Sequence, residues 1–153
     1  MKIKEICGLP VFYKKGIKIL GTVEKVVIGD NYEVSYIVIQ TDKKNRYMIE
    51  KGDFILTSEA VVIDNLKSIK SYICGEELSI YDKKIGDAVF DEEGKELGVV
   101  SDFIISPENG KVQEVEISAG ILSDFLQGRF KLPISKVVFK NKKSMMVKEG
   151  GKD

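Results

Sequence analysis

The chain repeats itself, and in a fixed order. Gly8, Val11, Phe12 and Gly16 recur 78 positions later as Gly86, Val89, Phe90 and Gly94, and Leu20, Gly21, Val23 and Ile28 recur at an offset of 77 as Leu97, Gly98, Val100 and Ile105. Ile37 and Ile39 match Val115 and Ile117 at 78, Arg46 and Tyr47 match Arg129 and Phe130 at 83, and Ile49 and Lys51 match Ile134 and Lys136 at 85. The order never breaks, so two copies of one small unit are expected. The offset grows because the second copy has extra residues between Ser118 and Arg129, where the first has only Thr41 to Asn45. That insertion, Ala119 to Gly128, carries Ile121, Leu122, Phe125 and Leu126 at helical spacing and ends on a glycine. It predicts one short helix.

The rest of each copy reads as strands. Val99 to Ser106 and Lys111 to Ser118 are rich in β-branched and aromatic residues, and the Pro107-Glu108-Asn109-Gly110 between them ends in the Asn-Gly pair that favours a tight hairpin. Val137 to Phe139 and Ser144 to Val147 flank Lys140 to Lys143 as a second hairpin, and Phe54 to Leu56 with Ala60 to Ile63 is its counterpart in the first copy. Each copy then has about six short strands, and curling such a sheet on itself hides its edges. The expected fold is all-β, two small barrels in tandem with a boundary near Leu66 to Gly75. Gly16 and Gly94 lie between apolar runs and are expected to take φ > 0 in turns, while Leu20-Gly21 and Leu97-Gly98 open the next strand. Neither G-x-G-x-x-G nor G-x-x-x-x-G-K-[ST] is present, so no phosphate-cradling loop is read.

Composition removes several function classes. Among 153 residues there is no histidine, hence no common general base, no partner for Ser101 or Ser123 in a hydrolase triad, and too few soft ligands for a Cys/His zinc site. Cys7 and Cys74 are read as small buried hydrophobes, not as a disulfide. No run approaches the ~20 apolar residues of a membrane span, and the opening Met1-Lys2-Ile3-Lys4-Glu5 lacks the apolar run of a signal peptide. A cytoplasmic location is expected. Charge balances at 24 basic against 24 acidic side chains, but unevenly: residues 76 to 124 carry 4 basic and 13 acidic groups, and residues 125 to 153 carry 8 and 2.

The run Val89-Phe90-Asp91-Glu92-Glu93-Gly94-Lys95-Glu96-Leu97-Gly98-Val99-Val100, then Pro107-Glu108-Asn109-Gly110-Lys111 and Ser123-Asp124-Phe125-Leu126-Gln127-Gly128-Arg129, resembles the PRC-barrel family. That family is named for the photosynthetic reaction centre H subunit and is similar to the C-terminal domain of a bacterial ribosome maturation factor. The resemblance is closest over residues 83 to 148, whereas the first copy lacks the Asp124 to Arg129 segment and joins through the repeat. It implies six-stranded barrels, a diverged copy at residues 1–70 and a closer copy at 71–150. It carries over no catalytic residue, since family members range from bioenergetic subunits to RNA-processing factors.

Three candidate surfaces stand out. Lys131, Lys136, Lys140, Lys142, Lys143 and Lys148 cluster around the last hairpin. Lys140, Lys142 and Lys143 are the candidate RNA contacts, although lysines also guard sheet edges and Phe130 and Phe139 read as core residues. Asp82, Asp87, Asp91, Glu92, Glu93 and Glu96 surround a turn with spacing unlike an EF-hand loop, and a solvated turn is the plainer reading. In the third strand of the second copy, Glu114 and Glu116 alternate with Val115 and Ile117 as a water-facing side requires, but the first copy has Tyr36 and Val38 there. Those two are the candidate interface, with another protein or a second copy as cover. The expectation is a non-enzymatic adaptor with no catalytic, cofactor or metal site and no membrane insertion. An RNA- or ribosome-associated factor is the alternative, and a small-ligand or metal-binding regulator the next.

Overall fold

The computed structural model of the chain describes residues 1–72, 79–120, 128–141 and 144–147, with residues 137–147 described by their backbone alone. The fold is all-β, as the alternating patterns predict. Two units divide it, the first comprising Met1–Ile80 with Ile105–Lys111 and the second Tyr81–Ile104 with Val112–Asp153.

In the first unit a single helical turn, α1 (Ile3–Ile6), precedes strands β1 (Pro10–Tyr13), β2 (Lys18–Ile28), β3 (Val34–Gln40), β4 (Arg46–Glu50), β5 (Ile55–Leu56), β6 (Val61–Ile63) and β7 (Lys70–Ser71). They form one sheet in the order β5-β6-β1-β2-β3-β4-β7. Neighbours are antiparallel except β1 and β6, which run parallel with Val11 opposite Val61. Val11, Val23, Ile37, Ile39, Ile49, Val61 and Ile63 fill its core together with Ile3 and Ile6. Seven strands replace the expected six, because Lys70 and Ser71 pair with Met48 and Tyr47 at the β4 edge. Cys7, expected to be buried, is exposed: Ile3 and Ile6 take the inward side of α1 and leave the residue after them outside. Cys74 lies outside the described residues.

The second unit runs α2 (Ile80–Lys84), β8 (Ala88–Phe90), β9 (Glu96–Ile105), β10 (Val112–Ser118), β11 (Phe130–Pro133), β12 (Val137–Asn141) and β13 (Ser144–Val147). Its sheet has the order β11-β10-β9-β8-β13-β12, again with one parallel pair, β8 with β13. Val89, Val100, Phe103, Val115 and Ile117 are buried. Phe130, expected in the core, is exposed where β11 ends the sheet. The helix expected within residues 119–128 falls mostly outside the described residues.

The local devices of the two units match. A bulge separates Val11 from Phe12 and another separates Val89 from Phe90. The N–H of Gly8 donates to Val23 O and that of Gly86 to Val100 O, both at 2.8 Å, and both glycines have positive φ. A Cβ at Gly21 would run into the carbonyl oxygen of Gln40, and one at Gly98 into that of Ser118. Glycine is needed at both points because two backbones come together there.

The Asn-Gly hairpin forms as expected. Ser106 N–H donates to Lys111 O, Gly110 N–H to Ser106 O, and Gly110 takes φ 70°. This tip belongs to the first unit, where Val34 N–H donates to Gly110 O and Ile105 exchanges two hydrogen bonds of 2.8 Å with Met1.

Candidate functional site

In an antiparallel run of strands, the β1–β2 turn and the β3–β4 loop fall at the same end of the sheet. Both are short, lysine-rich and strained. The first, Lys14 to Ile17, closes with Ile17 N–H donating to Lys14 O at 3.3 Å. Its left-handed residue is Ile17, with φ 48°, and not Gly16 as the glycine pattern predicts. Glycine is required at 16 for another reason: a Cβ there would sit 2.7 Å from the ring of Tyr13. Holding a β-branched residue in the left-handed region is costly. In the second loop Thr41 N–H donates to Asn45 O, and Lys44 takes φ 61°.

Between these loops and the turn at Leu66 lies a groove of about 520 Å³. Leu20, Ile39, Tyr47 and Ile69 form its floor, and the more exposed Lys18, Ile19, Thr41, Asp42, Lys43, Asn45 and Leu66 form its rim. Ile19, 62% exposed, and Leu66, 49%, are large aliphatic side chains left in water on this rim, and Ile17 in the adjoining turn is 83% exposed. Lys14, Lys15, Lys18, Lys43 and Lys44 stand in the two loops against the single carboxylate of Asp42. Among the described residues none of the five forms an ion pair, whereas Arg46 beside them is tied to Glu24 at 2.9 Å. The site is an aliphatic depression in a positive field. It was missed in the sequence although the signal was there: Ile17 and Ile19 alternate with lysines in a turn.

Tyr36 and Val38, the candidate interface, do not line this groove. Tyr36, half-buried, pairs with Glu50 and Val27, and Val38 is 1% exposed on β3. The backbone of Lys140 lies in β12, while Lys142 and Lys143 fall outside the described residues. Tyr32, in the turn before β3, is a further left-handed residue, with φ 59°. Burial, helped by the charge of Asp30, pushes its phenol up to about 12.

In the second unit the acidic turn between β8 and β9 is well ordered. Asp91 Oδ1 accepts from the N–H of Glu93 and of Lys95, both at 2.9 Å, leaving Glu92, Glu93 and Glu96 on the exposed side. Among the described residues no three Cys, Asp or Glu side chains are grouped to hold a metal ion. Glu116, expected to face water, is 2% exposed. Ser101 Oγ donates to its Oε1 at 2.7 Å and Arg129 Nη1 at 3.2 Å, so charge-assisted bonds replace the lost hydration. Lys84 and Asp87 form another buried pair, Nζ to Oδ2 3.7 Å.

A family model for the PRC-barrel domain matches residues 77–153. The chain belongs to the PRC-barrel family. The resemblance seen in the sequence is thereby borne out for the second copy. The PRC-barrel match takes in β8 to β13, the acidic turn and the Ser101–Glu116–Arg129 group, whereas the aliphatic groove is built from residues that precede it. A search of curated proteins found no match. No helix among the described residues is long and apolar enough to cross a membrane.

Proposed function

We propose that this PRC-barrel protein is a non-enzymatic interaction module, an adaptor, whose first unit binds another protein through the groove between the β1–β2 turn and the β3–β4 loop. The observation that carries this reading is the pair of exposed aliphatic side chains, Ile19 and Leu66, on the rim of that groove, with the exposed, left-handed Ile17 in the turn that leads into it. Aliphatic surface gains about 25 cal/mol per Å² when covered, and strained backbone concentrates where a surface does a task. The buried ionic groups of the second unit engage one another, as architecture does. An RNA-associated role draws on the same five lysines and on Lys140, Lys142 and Lys143, but three of the four floor residues are aliphatic and Tyr47 alone of them offers a nucleobase a ring to stack on.

The test is retention of partners from extract by the tagged chain, with and without nuclease, beside a chain carrying Ile19→Ser and Leu66→Ser. Both positions are exposed, so the variant is expected to keep its fold within about 0.5 kcal/mol. A nuclease-resistant protein held by the wild type and lost by the variant is the expected result. Equal retention by both defeats the groove reading, and recovery abolished by nuclease transfers the function to RNA.

A further inference from the structure

The two units carry a turn at the same point of their chain paths, and the turns are opposite in charge. Between β1 and β2 the chain reads Lys14-Lys15-Gly16-Ile17-Lys18, and between β8 and β9 it reads Asp91-Glu92-Glu93-Gly94-Lys95-Glu96. Gly16 corresponds to Gly94, so Lys14 and Lys15 stand where Glu92 and Glu93 stand. The shared bulge one residue earlier keeps the geometry of approach alike. The basic turn leads into the rim of the groove at Lys18, and Lys43 of the β3–β4 loop lines the groove as well. Its acidic counterpart is closed by hydrogen bonds to Asp91, with Glu93 and Glu96 exposed and the exposed aliphatic Val99 on the strand that follows.

We infer that the groove of one copy receives the acidic β8–β9 turn of a second copy of this chain. This rests on the reading that the groove is an interaction surface and names its occupant. Charge complementarity carries the choice: the chain balances at 24 against 24, so no net charge repels a second copy, while basic and acidic charge are concentrated on separate turns. Groove and turn are different surfaces, so two copies can join reciprocally, each turn in the other's groove, or add one after another until a ring closes.

Sedimentation of the intact chain over a range of concentrations, at low salt and at about 1 M salt, tests this, since 1 M salt screens exposed charges beyond ~3 Å. The mass is expected to rise with concentration at low salt and to return to one chain at high salt. A first variant reverses the groove with Lys15→Glu, Lys18→Glu and Lys43→Glu, and a second reverses the turn with Glu93→Lys and Glu96→Lys. Each alone is expected to associate roughly tenfold more weakly or worse, and their equimolar mixture to regain association, because each supplies the charge the other has lost. A misfolded variant cannot be rescued in that way. A wild type that stays monomeric at low salt, association that persists in either variant, or a mixture that stays monomeric overturns the inference. If the wild type is monomeric but Ile19→Ser with Leu66→Ser still releases another protein, self-association falls and the interaction reading stands.

Discussion

Ile17 states the residue-scale problem most sharply. A β-branched side chain at φ 48° is worse than the glycine beside it could have been, yet the strain persists and the side chain stays in water. Replacing it by Asn, which tolerates the left-handed region, is expected to stabilise the fold by about 1 kcal/mol. It is also expected to weaken partner retention, because an exposed aliphatic group leaves the turn that adjoins the groove. Denaturant titration beside the retention assay checks both, and a variant that is less stable would show that the turn is not strained. Tyr32 gives a pH signature. A phenol raised to about 12 in the folded chain and near 10 in the unfolded one binds its proton more tightly when folded. That contribution is complete below pH ~10 and is lost as pH rises through ~12. Stability should therefore fall more steeply between those values in the wild type than in Tyr32→Phe, as chemical unfolding at pH ~9 and ~11 will show. Neither feature was legible in the sequence: the glycine rule pointed one residue too early, because the ring of Tyr13, which decides what stands at 16, is invisible to a local pattern.

Elements were legible where one strand's own alternation decides them, and illegible where a partner strand does. β9, β10 and the Asn-Gly hairpin follow from the run Val99 to Ser118, and β12 and β13 from two short apolar runs about a lysine loop. Glu116 follows the same alternation, and it read as water-facing. Its burial depends on Ser101 across the sheet and Arg129 beyond the insertion, an arrangement that no period of two encodes. β7 escaped notice because two residues, Lys70 and Ser71, make no pattern. Gly21 and Gly98 were read as strand openers, and the reason they cannot be anything else lies in Gln40 and Ser118. Alanine at Gly21 is expected to cost about 1–3 kcal/mol, since a backbone carbonyl has to move. Alanine at Gly98 should cost more, because that residue also holds φ 145°. Thermal unfolding of the two variants gives the order directly, and equal losses would mean that crowding alone acts at both sites.

At the scale of the whole molecule, the repeat and the family resemblance foretold an all-β chain, but the groove was hidden by a balanced charge total that averages a basic turn against an acidic one. The make-up of the first unit has a further consequence. Ile105–Lys111 belongs to it, bonded to Val34 and Met1, so its last piece is encoded beyond residue 80. During synthesis at roughly 5–20 residues per second, the first unit therefore waits on the order of seconds for the tip that bonds Val34 and Met1. Completion of the N-terminal unit is thus timed by translation of the C-terminal half.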